Sequence, residues 1–456
     1  MSVAKKNQKP HFDKQGDRTD EERVEAAMQT FIQDFGATAA LYMESCVSCG
    51  MCAEACQFYV TTDDPKYTPI YKIKPFKQAY KRHIGPFAPI YRVLNLTPKV
   101  DIKELEDWQE LLYDSCTMCG RCSTICPMGI DIADLIKQAR HGMYKAGLMP
   151  ERMDLMGRTT KLWGSPATPI EDFAEILEED IQDVYGEPLV IDKEKADILV
   201  TLAPAELGDH TKAVADIAKI LNHIGADWTF RSDGFEASNI GYINGDIELQ
   251  EKLTMQLVDT AIKIGAKTLI LPECGHAYSA LRWEASRWYG KPLPFRVIHM
   301  TEFLAEVLNE GKIKVKKIDA TASFHDPCQL VRRGGVVEPP RDIVKALGYD
   351  LIEMEDSGNF GWCCGGGGGV ISNTRANPLR FKVFEMKKEQ FEETGAEHFL
   401  TSCGQCRITL TGGAKKFNWD KKIESLLELV ADNMIEDDAS SEDSKETTKE
   451  NTKEEA

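Results

Sequence analysis

Apolar residues in this chain fall in short runs separated by longer stretches of helical period. Ile198-Leu199-Val200 and Leu269-Ile270-Leu271 are bare apolar triplets, as expected of strands buried on both faces, and each precedes a segment of helical period, 211–223 and 277–288. Further on, 379–394 reads as a helix, and Gly395 is placed to close it as its C′ residue. Strands alternating with helices predict open α/β structure, in which ligand-binding residues gather just past strand ends. No run reaches the ~18 apolar residues of a membrane span, and the first ten residues hold no apolar stretch of a secretory signal. Residues 1–25 are polar and charged, as in a disordered or partner-bound segment, and 436–456 carry nine acidic and three basic residues with no large apolar one, a composition that buries too little surface to order itself.

At 456 residues there is room for about two to four domains. The formal charge of −18 argues against nucleic-acid binding, which needs clustered positive charge. One segment runs against that balance. Residues 65–100 contain no Asp or Glu, yet hold Lys66, Lys72, Lys74, Lys77, Lys81, Arg82, Arg92 and Lys99, interleaved with Tyr67, Tyr71, Phe76, Tyr80, Phe87 and Tyr91. Two readings stand: a surface that meets anionic lipid or an acidic partner, or a solvated helical face with its aromatics in the core.

The 14 cysteines carry the chemistry. A long chain of ordinary composition needs no disulfide staples, so reduced thiols in a cytoplasm-like compartment, holding metal, are expected. Cys46-x2-Cys49-x2-Cys52-x3-Cys56 and Cys116-x2-Cys119-x2-Cys122-x3-Cys126, the second followed by Pro127, have ferredoxin spacing, in which the fourth cysteine of each run serves the other cluster. The expected sets are Cys46, Cys49, Cys52 with Cys126, and Cys116, Cys119, Cys122 with Cys56. Gly50 and Gly120 suit loops that approach sulfide closely. Two full runs make zinc a poor alternative. The third group is Cys328, Cys363, Cys364, Cys403 and Cys406, with Gly365 to Gly369 after the adjacent pair. Without Cβ atoms beside those sulfurs, the backbone N–H groups of Gly365, Gly366 and Gly367 can approach bound sulfide or thiolate. No Gly-Lys-Ser/Thr follows, so this is no P-loop, and no Gly-x-Gly-x-x-Gly follows a strand, so no Rossmann-type flavin or nicotinamide site is expected.

The five-cysteine Cys-Cys-Gly pattern resembles the cysteine-rich CCG domain of heterodisulfide reductase, and with the tandem ferredoxin runs the chain resembles the HdrD subunit of that enzyme over about 40–430. The resemblance implies a helical tandem [4Fe-4S] ferredoxin domain followed by a pseudo-duplicated α/β CCG domain, with Cys328, Cys363, Cys364, Cys403 and Cys406 holding a noncubane [4Fe-4S] cluster at which disulfides are split or made. The domain scheme is a polar N-terminal extension (1–35), a ferredoxin-type domain (36–160) containing the basic insert, two CCG halves (190–312 and 313–435) and an acidic tail (436–456).

The first half keeps the outline of the second without its ligands. Pro204 and Leu207 match Pro327 and Leu330, Ala205 stands where Cys328 is, and Cys274-Gly275-His276-Ala277 parallels Cys403-Gly404-Gln405-Cys406. One noncubane cluster is therefore expected. Among family members this pattern looks most like the DsrK subunit of the DsrMKJOP membrane complex. That resemblance implies a cytoplasmic subunit peripheral to the membrane through its partners, a DsrM-like cytochrome b partner, a small DsrC-like disulfide or trisulfide protein as substrate, and either reaction direction. The alternative is an electron-relay subunit of a flavin-linked lactate or glycolate oxidase. Cys274 reads either as a buried relic or as a thiol facing the cluster, with His276 tuning it; His325, and Asp326 beside it, read either as proton donors or as structural residues.

Overall fold

The computed structural model describes residues 12–272 and 275–435. Two four-stranded parallel sheets make up its C-terminal part. The first holds β1 (Ile198–Val200), β2 (Trp228–Phe230), β3 (Thr268–Leu271) and β4 (Arg296–His299) in the order β2-β1-β3-β4. The second holds β5 (Thr321–Phe324), β6 (Asp350–Leu351), β7 (His398–Thr401) and β8 (Ile423–Ser425) in the order β6-β5-β7-β8. In both sheets the strand order thus reverses between corresponding central strands, in register Val200 to Ile270 and Phe324 to Leu400, and crevices at such points receive ligands. The apolar triplets are central strands, and the helices expected from period run Thr211–His223 and Asn377–Thr394. Gly395 closes the latter at φ +66°, a left-handed conformation that glycine adopts without Cβ strain. The segment 277–288 lies in a helical stretch, Gly275–Tyr289, widened by a π-turn at Ala280–Glu284.

The halves share one core. Helices Thr211–His223 and Met300–Asn309 of the first pack on Leu426–Asn433 and Glu338–Ala346 of the second, burying Ile217, Leu304, Phe324, Ile343 and Leu426 together. This apposition turns the loops after β1 and β3 toward the loops after β5 and β7.

The helical N-terminal module has its own core and corrects one expectation. Residues 20–34, assigned above to a polar extension, form the helix Asp20–Asp34. Its start is a capping box: Thr19 Oγ1 accepts from Glu22 N at 3.2 Å, while Glu22 Oε2 accepts from Thr19 N at 2.7 Å, a motif worth about 1 kcal/mol. Phe31 anchors it edge-on to Phe76 (5.4 Å) and Trp108 (5.5 Å), over Gly142 of the helix Ile132–Lys145. A Cβ at Gly142 would lie 2.1 Å from the Phe31 ring, so the close packing requires glycine there.

The basic insert divides in two. Tyr67, Phe76 and Tyr80 enter the core, as the solvated-face reading expects, with Phe76 stacked on Phe35 at 4.3 Å. Lys72 also turns inward, at 2% exposure. Residues 86–96 instead leave large apolar side chains in solvent. Among the described residues, no helix is long and apolar enough to cross a membrane. The acidic tail 436–456 and Cys274 lie outside the described residues.

Candidate metal centre and its cavity

Three groups of thiols are assembled. Cys46, Cys49, Cys52 and Cys126 line one cavity with Ile70, Ile73, Ile130 and Ile132, while Cys56, Cys116, Cys119 and Cys122 line another. Each quartet draws three cysteines from one run and the fourth from the other, the crossed arrangement that ferredoxin spacing requires. The loops share a backbone device: Ser48 and Met118 (φ +56° and +53°) precede a cysteine, and Gly50 and Gly120 (φ +87° and +76°) follow it. Left-handed residues in such turns aim successive N–H groups at an anion. The glycines were legible; Ser48 and Met118, being non-glycine, gave no signal of their own. Four soft thiolates per cavity, with apolar walls, suit a four-iron cluster.

Lys72 reaches from the insert to the second quartet. Its Nζ donates to Ser115 O and lies 3.4 Å from Cys56 Sγ, and its own carbonyl accepts from Trp108 Nε1. A buried cation beside a ligand thiolate stabilises the reduced, more negative state of a cluster. Lys72→Met is expected to lower the midpoint potential of the cluster at this quartet and leave that at Cys46, Cys49, Cys52 and Cys126 unmoved. A potentiometric titration followed by EPR checks this; equal shifts at both would contradict it.

The third group closes around the C-terminal ends of β5 and β7. Cys328 follows β5 through Asp326-Pro327, Cys403 follows β7, Cys406 lies in the first turn of the helix Gly404–Lys416, and Cys363 and Cys364 sit on the loop leading into the glycines. All five are buried, and Cys328 Sγ is 3.8 Å from Cys363 Sγ. Hydrogen bonds from the Cys363 and Cys406 thiols, joined by the Gly366 N–H, hold Cys364 well below the usual thiol range. Gly366 also lies where a Cβ would sit 2.0 Å from Thr409 Oγ1, so no other residue fits without displacing that helix.

His325 points into this group. Its ring nitrogen, Cys364 Sγ and Cys406 Sγ lie within 4.8 Å of one another, and neither ring nitrogen has a hydrogen-bond partner among the described residues. Burial pushes it down to about 3, so it is a neutral imidazole with one N–H to donate toward a ligand sulfur. Asp326 instead braces the loop: its carboxylate accepts from Arg341 at 2.9 and 3.1 Å and from Gly358 N at 2.6 Å. Sequence reading missed Lys387, whose Nζ is buried 3.4 Å from Met354 Sδ and faces Asp326, Cys363 and Cys364; burial lowers it to about 8. The signal was there, since Lys387 interrupts the buried stripe Val383, Phe384, Phe391 of its helix.

Four of these cysteines, Cys328, Cys364, Cys403 and Cys406, open onto a cavity of about 130 Å³ whose other wall comes from the first half, at Ala203–Glu206, Ser238, Ile240, Ile243, His276 and His299, with Met153 and Met156 from the N-terminal module. Ala205, the counterpart of Cys328, is in that wall. His276 lies in it too, but its Nε2 accepts from Gly368 N at 3.3 Å, and burial keeps it neutral, down to about 4. It holds the glycine loop. Among the described lining residues there is no Lys or Arg.

The second ferredoxin loop abuts the five-cysteine site. Cys119 and Cys328 thiols hydrogen-bond Cys363, holding it below the usual thiol range, and Thr117 Oγ1 is 3.5 Å from Cys363 Sγ. Gln329 Nε2 donates to Met118 O (3.0 Å), and Arg332 to Cys119 O (2.9 Å). Fully buried Arg140 ties all parts together, donating to Leu112 O and Cys116 O in the module, Ile243 O in the first half and Gly368 O in the second. Gly368 (φ +60°) touches Thr117, whose carbonyl would lie 2.9 Å from an added Cβ.

Comparison with known proteins agrees with this geometry. Residues 42–130 match the 4Fe-4S dicluster domain and residues 322–411 the cysteine-rich CCG domain. The chain is 29% identical over 404 residues to the HdrD subunit of the dihydromethanophenazine:CoB–CoM heterodisulfide reductase of Methanosarcina acetivorans, covering 87% of this chain and 95% of that one. It is 27% identical to the EtfAB:quinone oxidoreductase of Syntrophomonas wolfei (84% and 57% covered) and 25% to Hdr-like menaquinol oxidoreductase iron-sulfur subunit 2 of Archaeoglobus fulgidus (73% and 68%). The chain thus pairs an N-terminal 4Fe-4S dicluster domain with a C-terminal cysteine-rich CCG domain, and over most of its length it is similar to HdrD-type iron–sulfur subunits.

Proposed function

We propose that this chain is the subunit in which one-electron transfer becomes disulfide chemistry, and that its substrate is a disulfide or trisulfide carried on a protein. The observation that carries this reading is the contact of Cys119 and Thr117 with Cys363, which joins the quartet of Cys56, Cys116, Cys119 and Cys122 to the five-cysteine group. When bound, two [4Fe-4S] clusters at the quartets and a noncubane [4Fe-4S] cluster at the five cysteines supply one-electron steps and an iron site for sulfur. The chain's own residues do the rest. Exposed Cys49 sets the outer quartet at the surface, where a redox partner can approach. Arg140 and Gly368 hold the inner loop against the third group, and the first-half wall excludes water with Ala203, Ala205 and Ile240. Neutral His325, behind the cavity wall, offers an N–H toward Cys364 and Cys406, where charge on the thiolates would be stabilised. In balance, a disulfide takes up two electrons and two protons to give two thiols; the reverse gives electrons to the partner.

The lining favours one substrate class. A small disulfide bearing sulfonate or phosphate would bury charge against a wall without a cation, and even 1.4 kcal/mol of that penalty is a factor of ten. A cysteine on a short neutral peptide arm has no such penalty. This favours a DsrC-like protein substrate, with a DsrM-like cytochrome b as membrane partner, in a DsrK-like role. The test is anaerobic viologen-driven reduction by the loaded protein. A protein disulfide is expected to show kcat/KM at least about tenfold above that of a sulfonate-bearing small disulfide; the opposite order would reject the protein-substrate reading.

A second reading, electron relay for a flavin-linked oxidase, draws on the similarity to the EtfAB:quinone oxidoreductase. It expects co-purification with a flavoprotein and no disulfide turnover.

A further inference from the structure

Within residues 86–99 of the basic insert lie large apolar side chains that neither the core nor the redox centre uses. The helix Ala88–Val93 buries Ala88 and turns its other side out. Phe87, Ile90, Val93 and Leu94 fall at helical spacing on that outer side, 61%, 51%, 83% and 63% exposed, and Leu96 follows at 60%. The segment is braced: Arg82 Nη1 donates to Asn95 Oδ1 (3.3 Å) and Thr97 O (2.7 Å), so the apolar side chains are held outward on a fixed turn. Nearby Lys77, Lys81, Arg92 and Lys99 form no ion pair with a carboxylate among the described residues, and no acidic residue occurs anywhere in 65–100.

We propose that residues 86–99 dock this protein on an anionic lipid bilayer. Phe87, Ile90, Val93 and Leu94 enter the boundary between headgroups and acyl chains, and Arg92 and Lys99 meet lipid phosphates. Two observations favour lipid over an acidic protein. The apolar side chains stand out as exposed tips, and a fluid bilayer receives protruding groups without a shaped counterpart. The chain's charge of −18 is repelled by an anionic surface, so the one acid-free island with apolar tips fixes which face approaches. The inference does not rest on the disulfide reading, and its test does not read turnover.

The experiment is co-sedimentation of the full, cluster-loaded chain with vesicles of mixed phosphatidylcholine and phosphatidylglycerol, against phosphatidylcholine alone. Binding is expected to the mixed vesicles, to weaken with salt, and to be small on the neutral ones. The pair Val93→Ser with Leu94→Ser, and separately Arg92→Glu with Lys99→Glu, should each lower the partition coefficient at least about tenfold while cluster absorbance stays unchanged. Val93→Trp should show blue-shifted emission on binding. Failure of the natural chain to bind mixed vesicles, or equal binding by the Ser pair, would overturn the proposal; capture only by membranes that contain an integral protein partner would assign the patch to that protein.

Discussion

Cys364→Ala is expected to abolish disulfide reduction while leaving the N-terminal module loaded. Cys364 is the thiol at the centre of its group: it accepts from Cys363, Cys406 and Gly366 N and shares the neighbourhood of His325. Its loss removes a thiol whose pKa its neighbours hold well below the usual range, and with it the site's expected hold on iron. Iron per chain should fall from about twelve to about eight, the two four-iron quartets remaining, and viologen should still reduce the protein. Iron and labile-sulfide analysis of anaerobically prepared protein checks the first point, a disulfide-reduction assay the second. A variant that kept all its iron and its turnover would show that Cys364 is no ligand.

Arg140→Met should produce the largest loss of stability. The side chain is fully buried, lies 4.7 Å from the Tyr113 ring centroid, and satisfies carbonyls in three parts of the molecule. Removing the guanidinium strands Leu112 O, Cys116 O, Ile243 O and Gly368 O without donors, a cost of about 3–5 kcal/mol. Arg140→Lys should recover only part, because a single ammonium cannot reproduce the planar fork. Denaturant unfolding of both variants under anaerobic conditions gives the comparison; a loss below about 1 kcal/mol for Arg140→Met would mean that water replaces the donors at little cost.

How far the sequence could be read depended on whether a residue's role was local. Ile198–Val200 and the helix Thr211–His223 stand as read, because burial on two faces or on one leaves a period along the chain. The cysteine runs were legible because ligand spacing is itself local, and the quartets gather the thiols that spacing pairs. The helix Asp20–Asp34 was hidden because acidic residues fill its first turn and polar ones most of its outer face, while Ala27 and Phe31 carry the contact. Lys72 read as surface charge, since nothing in its neighbours says that the thiolate of Cys56 lies opposite. Lys387 and Arg140 occupy apolar stripes of their helices, and a charge in such a stripe marks a buried partner without naming it. His276 shows the same limit: its equivalence to Gln405 placed it across the cavity from the five cysteines, but not its bond to Gly368 N.

The most direct test of the central claim is a single-turnover experiment on the fully reduced, loaded protein, mixed anaerobically with excess protein disulfide while cluster absorbance and free thiol are followed together. Two thiols should appear for every two electrons lost from the protein, and Cys364→Ala should stay reduced with no thiol formed. Reoxidation without thiol release, or equal thiol release from Cys364→Ala, would contradict the assignment of disulfide chemistry to the five-cysteine site.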